Sequence, residues 1–156
     1  MQGARGVRGR EIGGNAVATI AELQTRMREL QGSSEELDTE KRALAARIAQ
    51  LAEALGYAES AQASAQRLRP AVKALTPDAS WQGARRTALD TAADGWLADE
   101  ARGYADSVGD LVFSIKQQMR DLKVQLDYKR HALELIEDQM SSARTEFERL
   151  SAGATE

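Results

Sequence analysis

The chain has 156 residues, 42% of them hydrophobic but only 4% aromatic, and its 24 acidic and 21 basic side chains leave a net charge of −3. That length suits one domain, and the bias to Ala, Leu, Glu, Arg and Gln belongs to long helices rather than to a compact mixed core. Interspersed charges of nearly equal number argue against an overall field that favours nucleic acid or an anionic membrane, and a cysteine count of zero excludes disulfides and thiolate metal sites.

Residues 1–14 carry Arg5, Arg8 and Arg10 among glycines and too little apolar content to order a core, so this stretch reads as a disordered basic tail. A basic arm touching nucleic acid or lipid is the alternative, but three arginines make few phosphate contacts. The tail has no apolar segment of the Sec type, and no run of 18 apolar residues follows anywhere, so neither a Sec signal peptide nor a membrane span is predicted.

A single helical domain is predicted over 15–150. Its first arm, about 16–75, has Ile20, Met27, Ile48 and Leu55 at one heptad position and Leu23, Leu30, Leu37, Leu44 and Leu51 at the other. The register crosses Gly32, Ser33 and Ser34 unshifted, which favours one continuous helix, although Ser33 with Glu36 could form a capping box and start a second. Ser34 and Lys41 fall on the seam, where polar residues weaken packing but fix alignment. Past Leu55 the seam passes into Ala58, Ala61 and Ala65, and Pro70 predicts a kink near residue 69. Between about 76 and 83, Pro77 cannot continue a regular helix and Asp78 or Ser80 can cap the next, so the chain is expected to reverse direction there.

The second arm, about 84–150, opens with Leu89, Trp96, Leu97, Tyr104, Val108 and Leu111, less regularly spaced. Gly95, Gly103 and Gly109 each cost about 1 kcal/mol relative to Ala in a helix, marking either a weaker stretch or close packing. From Val112 the four-three alternation is strict, through Ile115, Met119, Leu122 and Leu126, then Lys129, Leu133, Ile136, Met140, Ala143, Phe147 and Leu150. Residues 151–156 are expected to fray. Two arms of roughly 90 and 100 Å joined by a short connection predict an all-α, elongated antiparallel two-helix hairpin, coiled-coil-like. The seam residues are Leu23, Leu30, Leu37, Leu44, Leu51, Ile115, Met119, Leu122, Leu126, Leu133 and Ile136. Val124, Tyr128, His131 and Leu135 repeat the same spacing roughly 200° away, so Val124, Tyr128 and Leu135 form a candidate partner face.

Catalysis has little in its favour. His131 is the one histidine, and Asp127, Glu134 and Asp138 lie near it without a second cluster to complete a metal site; no phosphate-binding Gly loop or Ser-His pairing occurs. No enzyme activity, cofactor or metal is expected.

At the hairpin tip stand Trp81, Gln82 and Gly83, a Trp-x-Gly between two long heptad-patterned arms. A Trp can bury apolar surface where two helices diverge, and the Gly removes a side chain that would block close approach. Helix, Trp-x-Gly turn, helix resembles the WXG100 superfamily of type VII (ESX) secretion systems. The stretch from Ala71 to Asp90, with the downstream rhythm of Tyr104, Val108, Ile115 and Leu122, is similar to the longer YwqH-like proteins, small helical partners of LXG-type toxins. The resemblance spans roughly residues 20–145. It implies a partner or targeting protein, cytoplasmic before export, that binds the helical N-terminal domain of a secreted toxin or another WXG100-like chain, with Trp81 and Gly83 as the motif positions. Members with their own export signal carry Tyr followed four residues later by Asp or Glu, whereas Tyr57 meets Ala61, Tyr104 meets Val108 and Tyr128 meets Ala132. Export on a partner's signal, a cytoplasmic escort role and a function outside secretion therefore stay open. The alternative is a structural coiled coil, a self-associating scaffold or phage component forming a homodimer or larger homo-oligomer.

Overall fold

The computed structural model describes residues 18–75 and 82–153, and these form three helices: α1 (Ile20–Lys73), α2 (Ala84–Asp94) and α3 (Trp96–Gly153). Among the described residues there is no strand. The basic tail at 1–14, the turn residues Pro77, Asp78 and Ser80, and Trp81 lie outside them.

A reciprocal capping box starts α1. The Thr19 amide donates to Glu22 Oε2 at 2.7 Å, and the Glu22 amide donates to Thr19 Oγ1 at 3.2 Å, so two amides with no partner inside the helix are satisfied together. The backbone bond, and then the hydroxyl bond, hold the Glu22 carboxyl below the usual glutamate range. No helix begins at Ser33: α1 is continuous through Gly32–Ser34, and the Gln31 side chain donates to Glu35 Oε1 at 2.8 Å across that stretch. Pro70 sits within α1 near its end, where the Pro70 carbonyl still accepts from the Ala74 amide. A proline so close to the C-terminus removes one amide bond without ending the helix at once.

The second arm is not one helix. Its continuity breaks at Gly95, between α2 and α3, where φ is −104° and ψ −113°. A Cβ there would stand 2.8 Å from the Thr91 carbonyl oxygen, which accepts the Gly95 amide at 3.0 Å, so a side chain would push on backbone. Thr87 and Thr91 each return a hydroxyl to the carbonyl four residues back, at 3.3 and 2.8 Å, a bonding pattern that bends helices. At the start of α2 neither Asp78 nor Ser80 is the cap. Gly83 is the N-cap, with no side-chain cap bond, at φ 63° and ψ −135°. A Cβ on Gly83 would meet nothing within 4 Å, so the reason for glycine is the backbone angle and not close approach. At its far end α3 runs on through Ser151 to Gly153, beyond the expected fraying point.

Contacts divide the chain into two units, one of residues 36–133 and one that joins the described residues 18–35 to 134–153. Within 36–133 the chain is a helical hairpin. Glu59 of α1 pairs with Lys116 of α3 at 2.8 Å, and Glu40 pairs with Lys129; the earlier residue of α1 meets the later residue of α3, so the helices are antiparallel. The inward positions keep strict four-three spacing on both helices. Ala58, Val112 and Ile115 form a buried cluster, with Leu51, Leu55 and Met119 packed against it. Leu126 and Leu133 are buried, and Leu37, Leu44 and Leu122 are half-buried.

Toward α2 the inward residues are not the large ones expected. Trp96, Tyr104 and Leu111 are exposed, and the buried side chains are Ala93, Ala98, Ala101 and Val108 together with Ala58 and Ala65. Gly109 is half-buried, with space for a Cβ only 3.4 Å from Gln62 Nε2, whereas Gly103 faces open space. The two seam lysines each have an ionic partner: Lys129 has Glu40, and Lys41 reaches Asp38 Oδ1 at 2.7 Å while Arg42 holds the other oxygen at 2.6 Å. The Lys41 hydrogen bond, with the Arg42 charge adding to it, outweighs desolvation and lowers the Asp38 carboxyl.

In the second unit Leu23 and Ala143 are buried, and Leu30, Ile136, Phe147 and Leu150 are half-buried. Met27 of α1 and Met140 of α3 line one surface hollow there with Gln24, Arg28, Gln31 and Arg144.

Candidate partner face

Helix rotation decides which side chains are left for a partner. In the hairpin of 36–133, burial of Val112, Ile115 and Leu126 fixes the rotation of α3, and residues two positions out of phase must then face away from α1. Val124 and Tyr128 do so, one turn apart, at 69% and 73% exposure. Phe113, absent from the expected face, lies three turns before Val124 at 67% exposure. The spacing of 113 and 124 carried this signal, but Gln117, Arg120 and Asp121 between them hid it.

Charges border these apolar side chains. Arg130 Nη1 and Asp127 Oδ1 pair at 3.2 Å on the same helix, and Arg120 Nη1 donates to Gln117 Oε1 at 3.4 Å. An aromatic and branched centre with a polar surround is the composition of a protein-binding patch, in which the apolar part supplies burial and the rim stays hydrated.

Leu135, the third residue of the expected face, belongs to the unit of 18–35 and 134–153. It is 49% exposed and lines a surface hollow with Arg26, Asp138, Gln139, Ser142, Ala143 and Glu146. Gly83 is the only described member of the Trp-x-Gly pair of motif positions. Among the described residues no group of three or more His, Asp or Glu side chains is placed to hold a metal ion, and no helix is long and apolar enough to cross a membrane.

No family model matches the chain, and neither a curated protein nor a solved structure matches it.

Proposed function

We propose that this chain is a non-enzymatic, WXG100-like helical partner of a type VII secretion system, binding the helical N-terminal domain of a secreted LXG-type toxin or another WXG100-like chain. The observation that carries the reading is the apolar outer face of α3, because Phe113, Val124 and Tyr128 stay exposed after the hairpin has buried its own seam. The Trp81-Gln82-Gly83 sequence between two heptad-patterned arms supports the secretion assignment, with Gly83 providing a turn residue at positive φ. The protein acts in the cytoplasm before export and leaves, if it leaves, on its partner's signal.

The test is purification of the tagged chain from its native host, identification of co-eluting proteins by mass spectrometry, and the mass of the complex by light scattering. A near-stoichiometric helical protein fused to a toxin is expected. Replacing Val124, Tyr128 and Leu135 with Glu or Lys should abolish that association with helicity unchanged, and unaltered association would remove this face from the proposal. A chain recovered without such a partner would favour the second reading, a structural coiled-coil scaffold or phage component. The seam lysine Lys129 supports that reading, since its pair with Glu40 joins the two helices and favours the alignment that a regular coiled coil needs.

A further inference from the structure

A single residue separates α2 from α3. The Gly95 amide still donates to the Thr91 carbonyl at 3.0 Å and the Gly95 carbonyl still accepts from the Asp99 amide at 3.1 Å, but no bond joins the amides of 96–98 to the carbonyls of 92–94. A continuous α-helix would make all three. The break also changes which side of the chain is covered. The inward positions of α3, among them the buried Ala98, Ala101 and Val108, continue back through an unbroken helix to Asp94, Thr91 and Thr87, and these last three are exposed. On α2 it is Ala93 that is buried, with Leu89 and Ala92 half-buried. Their side of the helix lies roughly 200° from the extrapolated seam, so the bend at Gly95 is what turns it inward.

Little holds α2 in that position. Its N-cap, Gly83, makes no side-chain cap bond, and Arg85 and Arg86 in its first turn and Asp94 at its end all oppose the helix dipole. The Arg86–Asp90 ion pair, at 3.7 Å, lies within α2 and ties it to nothing else. An isolated helix of 11 residues is marginal. Joined to α3, the same residues would lose an adverse C-terminus, because Asp94 would then stand mid-helix. Chain length permits the junction. The register in which Gly109 faces Gln62 puts Trp96 level with Leu75, beside the end of α1. A straightened α2 would set Ala84 about 18 Å beyond that level, and the ten residues from 74 to 83 reach about 33 Å.

We propose that α2 is a two-position arm hinged at Gly95. In one position it is bent and buries Ala93. In the other, α2 and α3 are one helix from 84 to 153, and Leu89, Ala93 and Trp96 form one apolar stripe turned away from the seam. Gly95 is the residue that permits both: a Cβ would stand 2.8 Å from the Thr91 carbonyl oxygen in the bent position, whereas a straight helix accepts one there. Straightening uncovers little, since Trp96 is already 63% exposed and Ala93 is the one buried side chain of α2, and it adds the three missing backbone bonds. Two arrangements so closely opposed are the condition for a hinge whose balance a small differential contact can tip. The arm is about 16 Å long and carries Gly83 at its far end, so its position sets where the Trp-x-Gly stands relative to the hairpin. The inference holds under either reading of the function.

Pulsed electron-spin distance measurement on the full-length chain tests it, with labels at Arg85→Cys and Ser107→Cys, two exposed positions in a chain that has no cysteine of its own. In a continuous helix these sites stand about 33 Å apart. The chain with Gly95 intact is expected to give two populations, one of them near that distance. Gly95→Ala, which crowds only the bent position, should collapse the distribution onto the continuous-helix distance with helicity by circular dichroism unchanged or raised. Ala93→Gln should do the same from a site away from the hinge, because the buried position has no room for Gln and the straightened one faces solvent. A single population in the chain with Gly95 and Ala93 intact overturns the proposal. So do variants that keep the bent distance, or that broaden the distribution and lose helicity as α2 melts.

Discussion

At Gly83 the backbone has φ 63° and ψ −135°, a region that side chains with a Cβ rarely enter, while the space around it is open. Gly83→Ala should therefore cost about 1–3 kcal/mol through the backbone alone. Gly32 also has open space but sits inside α1 without positive φ, so Gly32→Ala should stabilise by about 0.4–1 kcal/mol. Denaturant midpoints on the two variants check the pair, and a shift of the same sign in both would contradict the assignment. Glu22 and Asp38 give a further prediction at this scale. Both carboxyls are held below their ordinary values in the folded chain, Glu22 by the Thr19 amide and Asp38 by the Lys41 hydrogen bond. A group with a depressed folded pKa binds fewer protons in the folded than in the unfolded chain over that interval. Its contribution is complete above the ordinary carboxylate range and is lost as pH falls through that range to the folded value. Glu22→Gln should thus flatten the acid side of a thermal-stability profile and leave its neutral-to-alkaline slope unchanged.

At the scale of elements, the seam was legible where its residues are bulky. Leucine and isoleucine at four-three spacing marked Leu23, Ile115, Leu126 and Leu133, and all four are buried. Ile115→Ala should accordingly lose about 2–5 kcal/mol in chemical denaturation, since it empties a place in the Ala58, Val112 and Ile115 cluster. Legibility failed from Ala93 to Leu111 for a physical reason: alanine occupies inward and outward positions alike, so its spacing carries no signal, while Trp96 and Tyr104 suggest a core they do not enter. The alanine seam should resist enlargement. Ala101→Leu is expected to cost about 1–3 kcal/mol by overpacking, and a neutral result would mean that the helices have room between them there. The break at Gly95 was read from sequence as a helix penalty or a place of close packing, because the crowding a Cβ would meet there, 2.8 Å from the Thr91 carbonyl oxygen, has no pattern in composition. The Thr19 capping box did have one, Thr-x-x-Glu before an apolar repeat.

For the molecule as a whole, the sequence pattern foretold the all-helical class and the hairpin because both follow from repeat length and one turn region. The exposed apolar side of α3 was legible at Val124 and Tyr128, whose spacing is unbroken, and illegible at Phe113, where polar residues fill the intervening turns. The antiparallel pairing also bears on the order in which the hairpin assembles. From the Gln62–Gly109 contact to the Glu40–Lys129 pair the enclosed chain roughly doubles, yet a doubling adds only about 0.6 kcal/mol to loop closure. Once the alanine layers nearest α2 have met, each further leucine layer joins at small entropic expense. Loop length thus does little to fix the order of closure, and the leucine layers far from α2 can meet as early as the alanine layers beside it.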